Sequence, residues 1–542
     1  MMKPATSYRG EAGGRCQLLA AAAALLAVLA VAASAPAAPK FVRLAFTESA
    51  HDSMSVAWTT DADTQSEVQY GTSPGNYPDK KSGKSFKANG GLGFVHEVVL
   101  GGLKPATTYY YRAGDPADGF SGEYTLATGP APDESCGKFR FVFFGDNRPD
   151  PIFGGGEFYD VILGQAAAHK PAFVVNGGDL VVSGDKIDQW LTYLGYNDDV
   201  APLLPNMPCL GNHDTGPGEG DGANYNQIFA LPRSSGPQGS GTEDYYHFRY
   251  GNAVFVALST EGFKGGDQPF GKQAAYLDEV LAQSPARWKI VFLHKPIYTY
   301  KDPFGVTHGP NEEGQNAALV AVFDKHHVDV VLTSHNHWYE RYTPSACGAQ
   351  GNPGSDKPCA VGGDPAKGTL YIVSGGAGAF TIPALLCGLS FGQDKCSGSH
   401  HYLVFDVADE KLTMDAWAAH PQKNEVIDSF TIVKPKVDCS PLPPGDGGAG
   451  AAGGGPGGSG PGPGGAGPGG AGTGATGVGA AAAAPGQGGA GASAGTGKGA
   501  APSAEADAGC GCRAPRGGAG GASGAALALG LALLCRRRRD VL

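Results

Sequence analysis

The alternation of apolar strands and amphipathic helices after Cys136 restricts the possible fold more than any other feature of this chain. Strands are predicted at residues 139–144, 172–176, 207–210, 253–258, 288–293 and 328–332, and helices near 158–169, 186–204, 272–283 and 316–327. Strands that are joined by helices run parallel. The segment therefore predicts an α/β domain whose active site lies beyond the carboxyl ends of its strands.

Five of these strands end in polar motifs. The motifs are Gly-Asp-Asn-Arg at 145–148, Gly-Asp-Leu at 178–180, Gly-Asn-His-Asp at 211–214, Leu-His-Lys-Pro at 293–296 and Ser-His-Asn-His at 334–337. A single Gly-Asp pair is typical of an ordinary turn, and a lone His-x-His of a solvated one. Five polar strand ends within one α/β pattern instead indicate a shared site.

These strand ends offer oxygen and nitrogen donors that suit a metal site. Residues two apart in an extended chain point to the same side, so two imidazoles of a His-x-His can converge on one ion. The mixed donor set favours Zn, Mn or Fe over Ca or Cu. Two ions ~3.5–4 Å apart need a shared ligand, and Asp179 is the candidate bridge. The expected metal ligands are Asp146, Asp179, Asn212, His294, His335 and His337.

Residues 39–130 have a different pattern, in which short alternating strands are separated by Gly, Pro and Asn. Strands are predicted at 53–58, 66–70, 96–100 and 107–112, which together indicate a small β-sandwich. The segment at 102–109 resembles the corner of a fibronectin type III module. The Val-x-Trp-Thr-Thr, Val-x-Tyr-Gly and Leu-x-Pro-x-Thr-x-Tyr segments resemble the N-terminal domain of purple acid phosphatases.

The segment at 136–440 resembles the calcineurin-like metallophosphoesterases, through Asn-His at 212–213 and His-x-His-x-Tyr-Glu-Arg at 335–341. The resemblance implies a two-sheet sandwich flanked by helices and two divalent or trivalent ions that hydrolyse a phosphate ester. It implies that Asp146 and His337 hold the first ion, that Asn212, His294 and His335 hold the second, and that Asp179 bridges them. It also implies that His213 lies beside the substrate phosphate and that Asp214 orients His213. We expect a protonated His213 to supply a proton to the leaving oxygen.

Two positions depart from the family pattern. Arg148 stands where superfamily members usually have His, and Val182 stands where purple acid phosphatases have Tyr. The first metal position then has three protein ligands, and we expect it to bind its ion weakly. Arg148 fits a bidentate contact to the substrate phosphate, although a surface arginine after a turn is an equally good interpretation.

The two ends of the chain predict export. Residues 1–38 resemble a signal peptide, with basic residues before an apolar run and small residues after it. Residues 441–508 are nearly all Gly, Ala, Pro and Ser, which predicts a flexible linker. Residues 509–542 combine Cys-Gly-Cys, a short apolar run and four arginines, and they resemble a myxobacterial sorting signal for surface display. A plain short membrane anchor is the alternative.

Export permits disulfide bonds. Cys347 with Cys359 and Cys387 with Cys396 are the candidate local pairs, while Cys136 with Cys439 would join the ends of the α/β domain. Spacing alone does not fix this connectivity. Cys209 lies in an apolar strand, so a buried thiol is expected there.

Charge and composition argue against nucleic acid as a partner. The chain has 40 Lys and Arg against 51 Asp and Glu, and it has no basic stripe. A small phosphate monoester is the expected substrate, and a phosphodiesterase on the same metal core is the alternative. A surface adhesion protein with a decayed core is the alternative from another class. Positions 148 and 182 favour it, and the retention of the other seven site residues disfavours it.

The residue at position 182 predicts a colourless enzyme. The resemblance implies that charge transfer from a tyrosine to Fe(III) gives purple acid phosphatases their colour, and Val182 has no phenolate. We expect the pure, metal-loaded protein to show no visible absorption band. An absorption spectrum with such a band would contradict this interpretation.

Overall fold

The computed structural model describes residues 38–132, 136–149, 155–261, 269–303, 305, 307–347, 351–359, 367–382 and 387–439. These residues belong to one unit, which spans Met1–Gly447. The predicted signal peptide, apart from its last residue, lies outside the described residues, as do the linker and the sorting segment. Among the helices that are described, none has the length and apolar character that a bilayer span requires.

The N-terminal segment folds as the predicted β-sandwich of two antiparallel sheets. One sheet has the order β1-β2-β6-β5, and the other β4-β3-β7-β8 with β9 also paired to β7. The predicted strands are all present. Sequence patterning missed edge strands such as β4, because all four of its side chains are exposed and polar. The strands are β1 Lys40–Ala45, β2 Ser53–Thr60, β3 Glu67–Gly71, β4 Asp79–Ser82, β5 Lys84–Lys87, β6 Phe94–Gly101, β7 Thr108–Asp115, β8 Gly119–Phe120 and β9 Tyr124–Ala127.

The α/β domain consists of two sheets. The first has the order β12-β11-β10-β20-β21-β22, and the second β13-β14-β15-β16-β18-β17-β19. Its strands are β10 Lys138–Phe144, β11 Phe173–Asn176, β12 Asn206–Pro208, β13 Tyr246–Tyr250, β14 Ala253–Ala257, β15 Trp288–Phe292, β16 Val330–Thr333, β17 Tyr339–Tyr342, β18 Leu370–Ser374, β19 Gln393–Ser397, β20 His401–Ala408, β21 Lys411–Ala418 and β22 Glu425–Val433. Its helices are α1 Gly155–Ala168, α2 Ile187–Asn197, α3 Asn224–Ile228, α4 Pro269–Gln283 and α5 Gln315–His326.

Parallel pairing within each sheet confirms the α/β prediction. Strands β10, β11 and β12 run parallel in the first sheet, and β14, β15, β16 and β18 run parallel in the second. The ring of Phe141 on β10 packs edge-on against Phe255 on β14 at 5.1 Å and stacks on Phe405 of β20 at 4.6 Å. Aromatic packing therefore joins the two sheets face to face.

Several boundaries differ from the prediction. The helix predicted at 186–204 ends at Asn197. The side-chain amide of Asn197 donates to the Tyr193 carbonyl at 2.7 Å and so competes with the backbone hydrogen bonds of the helix. Strand β17 begins within the His-x-His-x-Tyr-Glu-Arg motif and ends one residue after it, and the polar strand β19 pairs with it. Strands β20, β21 and β22 form a C-terminal antiparallel meander, and β20 joins it to the rest of the first sheet by pairing antiparallel to β10.

The structure confirms all three predicted disulfides. Cys136 is bonded to Cys439, Cys347 to Cys359, and Cys387 to Cys396. Cys209 is a buried free thiol, as expected. The first bond joins the start of the α/β domain to its last residues.

A buried ion pair connects the two sheets on one side. Arg341 on β17 donates through Nε to Asp428 on β22 at 2.6 Å, and the Tyr339 hydroxyl donates to the same carboxylate at 2.7 Å. The Arg341 and Asp428 side chains are only 7% and 3% exposed. Arg341 also pairs with Asp394, whose side chain is 39% exposed.

Removal of the buried carboxylate should destabilise the fold. We expect Asp428→Ala to lower the free energy of unfolding by about 3 kcal/mol, because it leaves a buried guanidinium and a buried phenol without their main partner. Asp394→Ala removes an exposed partner of the same arginine and should cost less than about 1 kcal/mol. Denaturant unfolding of both variants measures these changes. Equal losses of unfolding free energy would contradict the role of Asp428 as the main buried partner of Arg341.

Candidate metal centre

The carboxyl ends of the parallel strands meet at one rim of the two sheets. Asp146, Asp179 and Asn212 follow β10, β11 and β12 of the first sheet, and the three histidines follow β15 and β16 of the second. The His335 backbone N–H donates to Asp146 Oδ2 at 2.7 Å across this rim. The structure therefore brings together the residues that sequence analysis predicted as metal ligands.

Glycines allow the two rims to approach. A Cβ atom at Gly145 would lie 2.1 Å from Ser334 Oγ, and one at Gly177 would lie 2.0 Å from the same atom. Either distance is shorter than any real contact, so a larger residue would push the sheets apart. Gly145 of the first Gly-Asp motif and Gly177, which precedes the second, are thus required for packing.

The site residues have an unusual backbone. Asp146, Asp179 and His335 have φ of 57°, 56° and 68°, a left-handed conformation that costs about 1–3 kcal/mol for a residue other than glycine. Hydrogen bonds between the loops hold it: the Arg148 N–H donates to the Asp179 carbonyl at 3.2 Å. Such strain is concentrated at functional sites.

Asp214 has a structural role rather than the expected contact with His213. Its carboxylate accepts the N–H groups of Asp179, Leu180 and Gly211 at 2.7–2.9 Å. The His213 ring is oriented instead by the Val182 carbonyl, which lies 2.6 Å from Nδ1. The expectation for Asp214 is wrong because backbone N–H groups of the loops after β11 and β12 surround this buried carboxylate. It fixes the loop that carries Asp179.

Four donor atoms form what we call the inner position. His294 Nε2 lies 3.0 Å from Asn212 Oδ1, 3.1 Å from His335 Nδ1 and 3.2 Å from Asp179 Oδ1. These separations suit ligands that share one ion at ~2.0–2.2 Å. The other ring nitrogen of His294 lies 2.8 Å from the Gly177 carbonyl, which fixes Nε2 toward the ion position.

The electrostatics of the inner position favour a cation. Burial opposes a charge on His294, but Asp179, Asp146 and Glu261 together raise its pKa above the usual value. Burial lowers the pKa of His335 to about 4, which outweighs the hydrogen bond to Glu312. His335 is therefore neutral at pH 7, as a metal ligand must be. The inner position fits a metal ion.

Three further donors form what we call the outer position: Asp146 Oδ1, Asp179 Oδ2 and His337 Nε2. His337 Nε2 lies 3.4 Å from Asp146 Oδ1, and its Nδ1 lies 2.7 Å from the Phe380 carbonyl. Asp146 Oδ1 is buried and has no hydrogen-bond partner. Burial opposes its ionisation, but His337, His294 and Arg148 hold the pKa of this carboxyl well below its usual range.

The guanidinium of Arg148 lies among these outer donors. Its Nη2 contacts His337 Nε2, its Nη1 lies 2.9 Å from His213 Nε2, and its Nε lies 3.7 Å from Asp179 Oδ2. Its side chain is 13% exposed. The interpretation of Arg148 as a surface arginine is therefore wrong.

Sequence analysis missed the residues that support the ligands. Glu312 Oε2 lies 3.1 Å from His335 Nε2, and the ring of His308 packs on His335 with centroids 3.9 Å apart. Both lie in the loop before α5, and nothing in their spacing indicates the site. Asn336, between the two ligand histidines, fixes this loop by accepting the His308 N–H at 2.8 Å.

Comparison with known proteins gives consistent matches. Residues 39–128 match the family model of the purple acid phosphatase N-terminal domain, and residues 139–339 match that of the calcineurin-like phosphoesterases. Together these matches cover more than half of the chain.

Individual relatives agree. Purple acid phosphatase 23 of Arabidopsis thaliana is 27% identical over 363 residues, which are 56% of this chain and 76% of that protein. Acid phosphatase type 7 of Homo sapiens is 27% identical over 416 residues, 68% of this chain and 88% of that protein. A purple acid phosphatase from yellow lupin (Lupinus luteus) seeds has the same fold, with a TM-score of 0.60 at 21% identity over 75% of this chain and 79% of its own.

The contact between Glu312 and His335 predicts an effect on metal affinity. We expect Glu312→Ala to raise the dissociation constant for the metal about 10–100-fold, because His335 loses the carboxylate that orients its ring. Glu313→Ala is the matched control, since Glu313 pairs with Lys295 instead. Titration against a competing chelator measures both variants, and unchanged affinity in Glu312→Ala would refute the role.

Proposed function

We propose that this chain, a metal-dependent phosphoester hydrolase that belongs to the calcineurin-like phosphoesterases and carries the purple acid phosphatase N-terminal domain, hydrolyses small phosphate monoesters outside the cytoplasm. The observation that carries the proposal is the inner position, where Asn212, His294, His335 and Asp179 converge from both sheets. The relatives named as acid phosphatases support the monoester class.

A metal held by these four residues would act as a Lewis acid and lower the pKa of a bound water. Zn, Mn and Fe suit the mixed donor set. The sequence predicts two ions, and the two positions differ: the inner one offers four donors, whereas the outer one offers three and contains a guanidinium.

Arg148 and His213 are proposed to act on the substrate. The Arg148 guanidinium presents several N–H donors at the rim and can neutralise phosphate oxygens as their charge develops. The His213 side chain is 34% exposed, and its Nε2 faces Arg148 and Asp179. Because His213 Nδ1 donates its hydrogen bond to the Val182 carbonyl, the proton for the leaving oxygen would come from Nε2 of the doubly protonated ring.

We also propose export, as the ends of the chain predict. Three disulfides within the α/β domain support it, since such bonds persist in oxidising compartments and are rare in the cytosol. Surface display through residues 509–542 and contact of that segment with a sorting machinery remain part of the proposal. Cell fractionation with and without residues 509–542 tests it: release of the truncated protein supports display.

Paired substrates test the monoester class. We expect turnover of p-nitrophenyl phosphate to exceed that of bis(p-nitrophenyl) phosphate, and the reverse order would support a diesterase. Metal analysis on the same sample separates an enzyme from a binding protein, because a decayed core would show neither bound metal nor turnover.

His213 should matter most for poor leaving groups. We expect His213→Ala to lower kcat for an alkyl phosphate by about 10²–10⁴-fold and to lower kcat for p-nitrophenyl phosphate much less, because p-nitrophenolate leaves without a proton. Metal content should stay unchanged, and His420→Ala on the exposed surface is the control. Equal losses for both leaving groups, or a parallel loss of metal, would contradict a proton-donor role.

A further inference from the structure

We infer that the guanidinium of Arg148 occupies the outer position in place of a second metal ion, so that the enzyme works with one ion at the inner position. This inference rests on the proposed function and concerns how its site is built. It departs from the two-ion arrangement that the sequence resemblance implies.

The Arg148 guanidinium contacts the donor atoms of the outer position. Arg148 Nη2 contacts His337 Nε2, and its Nε lies 3.7 Å from Asp179 Oδ2. Because His337 Nδ1 donates its hydrogen bond to the Phe380 carbonyl, the other ring nitrogen, Nε2, carries a lone pair. That lone pair would bind an outer ion, and here it accepts a hydrogen bond from Arg148 instead. Two of the three outer donors therefore face the guanidinium.

Few donor atoms remain for a second ion at the outer position. The family resemblance implies a tyrosine ligand at position 182, but the chain has Val182, which offers no side-chain donor. Its carbonyl contacts the His213 ring. Asp146 Oδ1 is the outer donor left without a hydrogen bond. An outer ion would thus find only one donor, Asp146 Oδ1, that does not already face the guanidinium.

The buried carboxylates of the site need positive charge beside them. The carboxylates of Asp146 and Asp179 are 0% and 1% exposed, so their two negative charges need cations close by. One divalent ion and one guanidinium provide three positive charges. A second divalent ion would instead meet the guanidinium within the same small volume. The guanidinium thus places a positive charge at the outer position without a metal ion there.

Backbone and side-chain contacts hold Arg148 at the outer position. Its backbone has φ of 22°, its N–H donates to the Asp179 carbonyl, and its Nη1 contacts His213. The chain therefore directs the side chain across the rim toward His337. Arg148 is at once a fixed cation at the site and the phosphate contact proposed above.

Metal counting tests this inference. Elemental analysis of the pure full-length chain, equilibrated with Zn, Mn or Fe and then dialysed, should give one tightly bound ion per chain. Asn212→Ala should lose that ion, because Asn212 belongs only to the inner position. Two ions in the unaltered chain, or retention of the single ion in Asn212→Ala, would overturn the inference.

Variants at position 148 give a gain-of-site test. Arg148→His supplies an imidazole beside Asp146 and removes the cation, so we expect two ions per chain. Arg148→Leu removes the cation without adding a donor, and we expect a second, weaker ion there. A count that stays at one ion in both folded variants would show that the guanidinium does not exclude the second ion.

Turnover of p-nitrophenyl phosphate in the unaltered chain separates this inference from the proposed function. One ion with turnover supports both statements. Two ions with turnover overturn the single-ion arrangement and leave the hydrolase intact. Bound ion without turnover of either phosphate ester refutes the proposed function, while the count still decides the inference.

Discussion

Two buried carboxylates at one rim of the first sheet set the main constraint on this structure. Asp146 and Asp179 are almost fully excluded from solvent, and isolated buried charges are strongly unfavourable unless cations lie beside them. The glycines that let the rims meet, the left-handed loops and the four-donor inner position all serve this arrangement. A metal and an arginine satisfy the same need by different means.

The motif at 335–341 divides its residues between chemistry and structure. His335 and His337 face the two positions, whereas Asn336 fixes the loop that contains His308. Glu340 is buried and accepts the Thr299 hydroxyl at 2.5 Å, and burial raises its pKa to about 7. Arg341 joins the sheets through Asp428. This short motif therefore combines candidate metal ligands with residues that hold the fold together.

The β-sandwich is packed directly on the α/β domain. Arg43 on β1 donates to the Ile228 carbonyl at 2.6 Å, and the Tyr111 hydroxyl donates to the Pro202 carbonyl at 2.7 Å. Phe46 contacts Phe173 of β11 with ring centroids 5.5 Å apart. The sandwich thus supports the strand that leads to Asp179, which connects the first domain to the site through the packed core.

The amino-acid sequence by itself determined the two kinds of domain, the disulfide candidates and the six donor residues. It could do so because strand periodicity, turn glycines and His-x-His spacing are local properties of the chain. Local patterns failed for Glu312, which lies far from His335 in the sequence, and for exposed strands such as β4 and β19.

Only the tertiary structure decided what fills the outer position and what orients His213. The sequence showed that Arg148 departs from the family pattern, and it could not show where a long side chain points. The contacts of Arg148 with His337 and Asp179 exist because loops from two different sheets meet at one rim. The tertiary structure also decided the role of Asp214, because four backbone N–H groups of the loops donate to its carboxylate and the His213 ring does not.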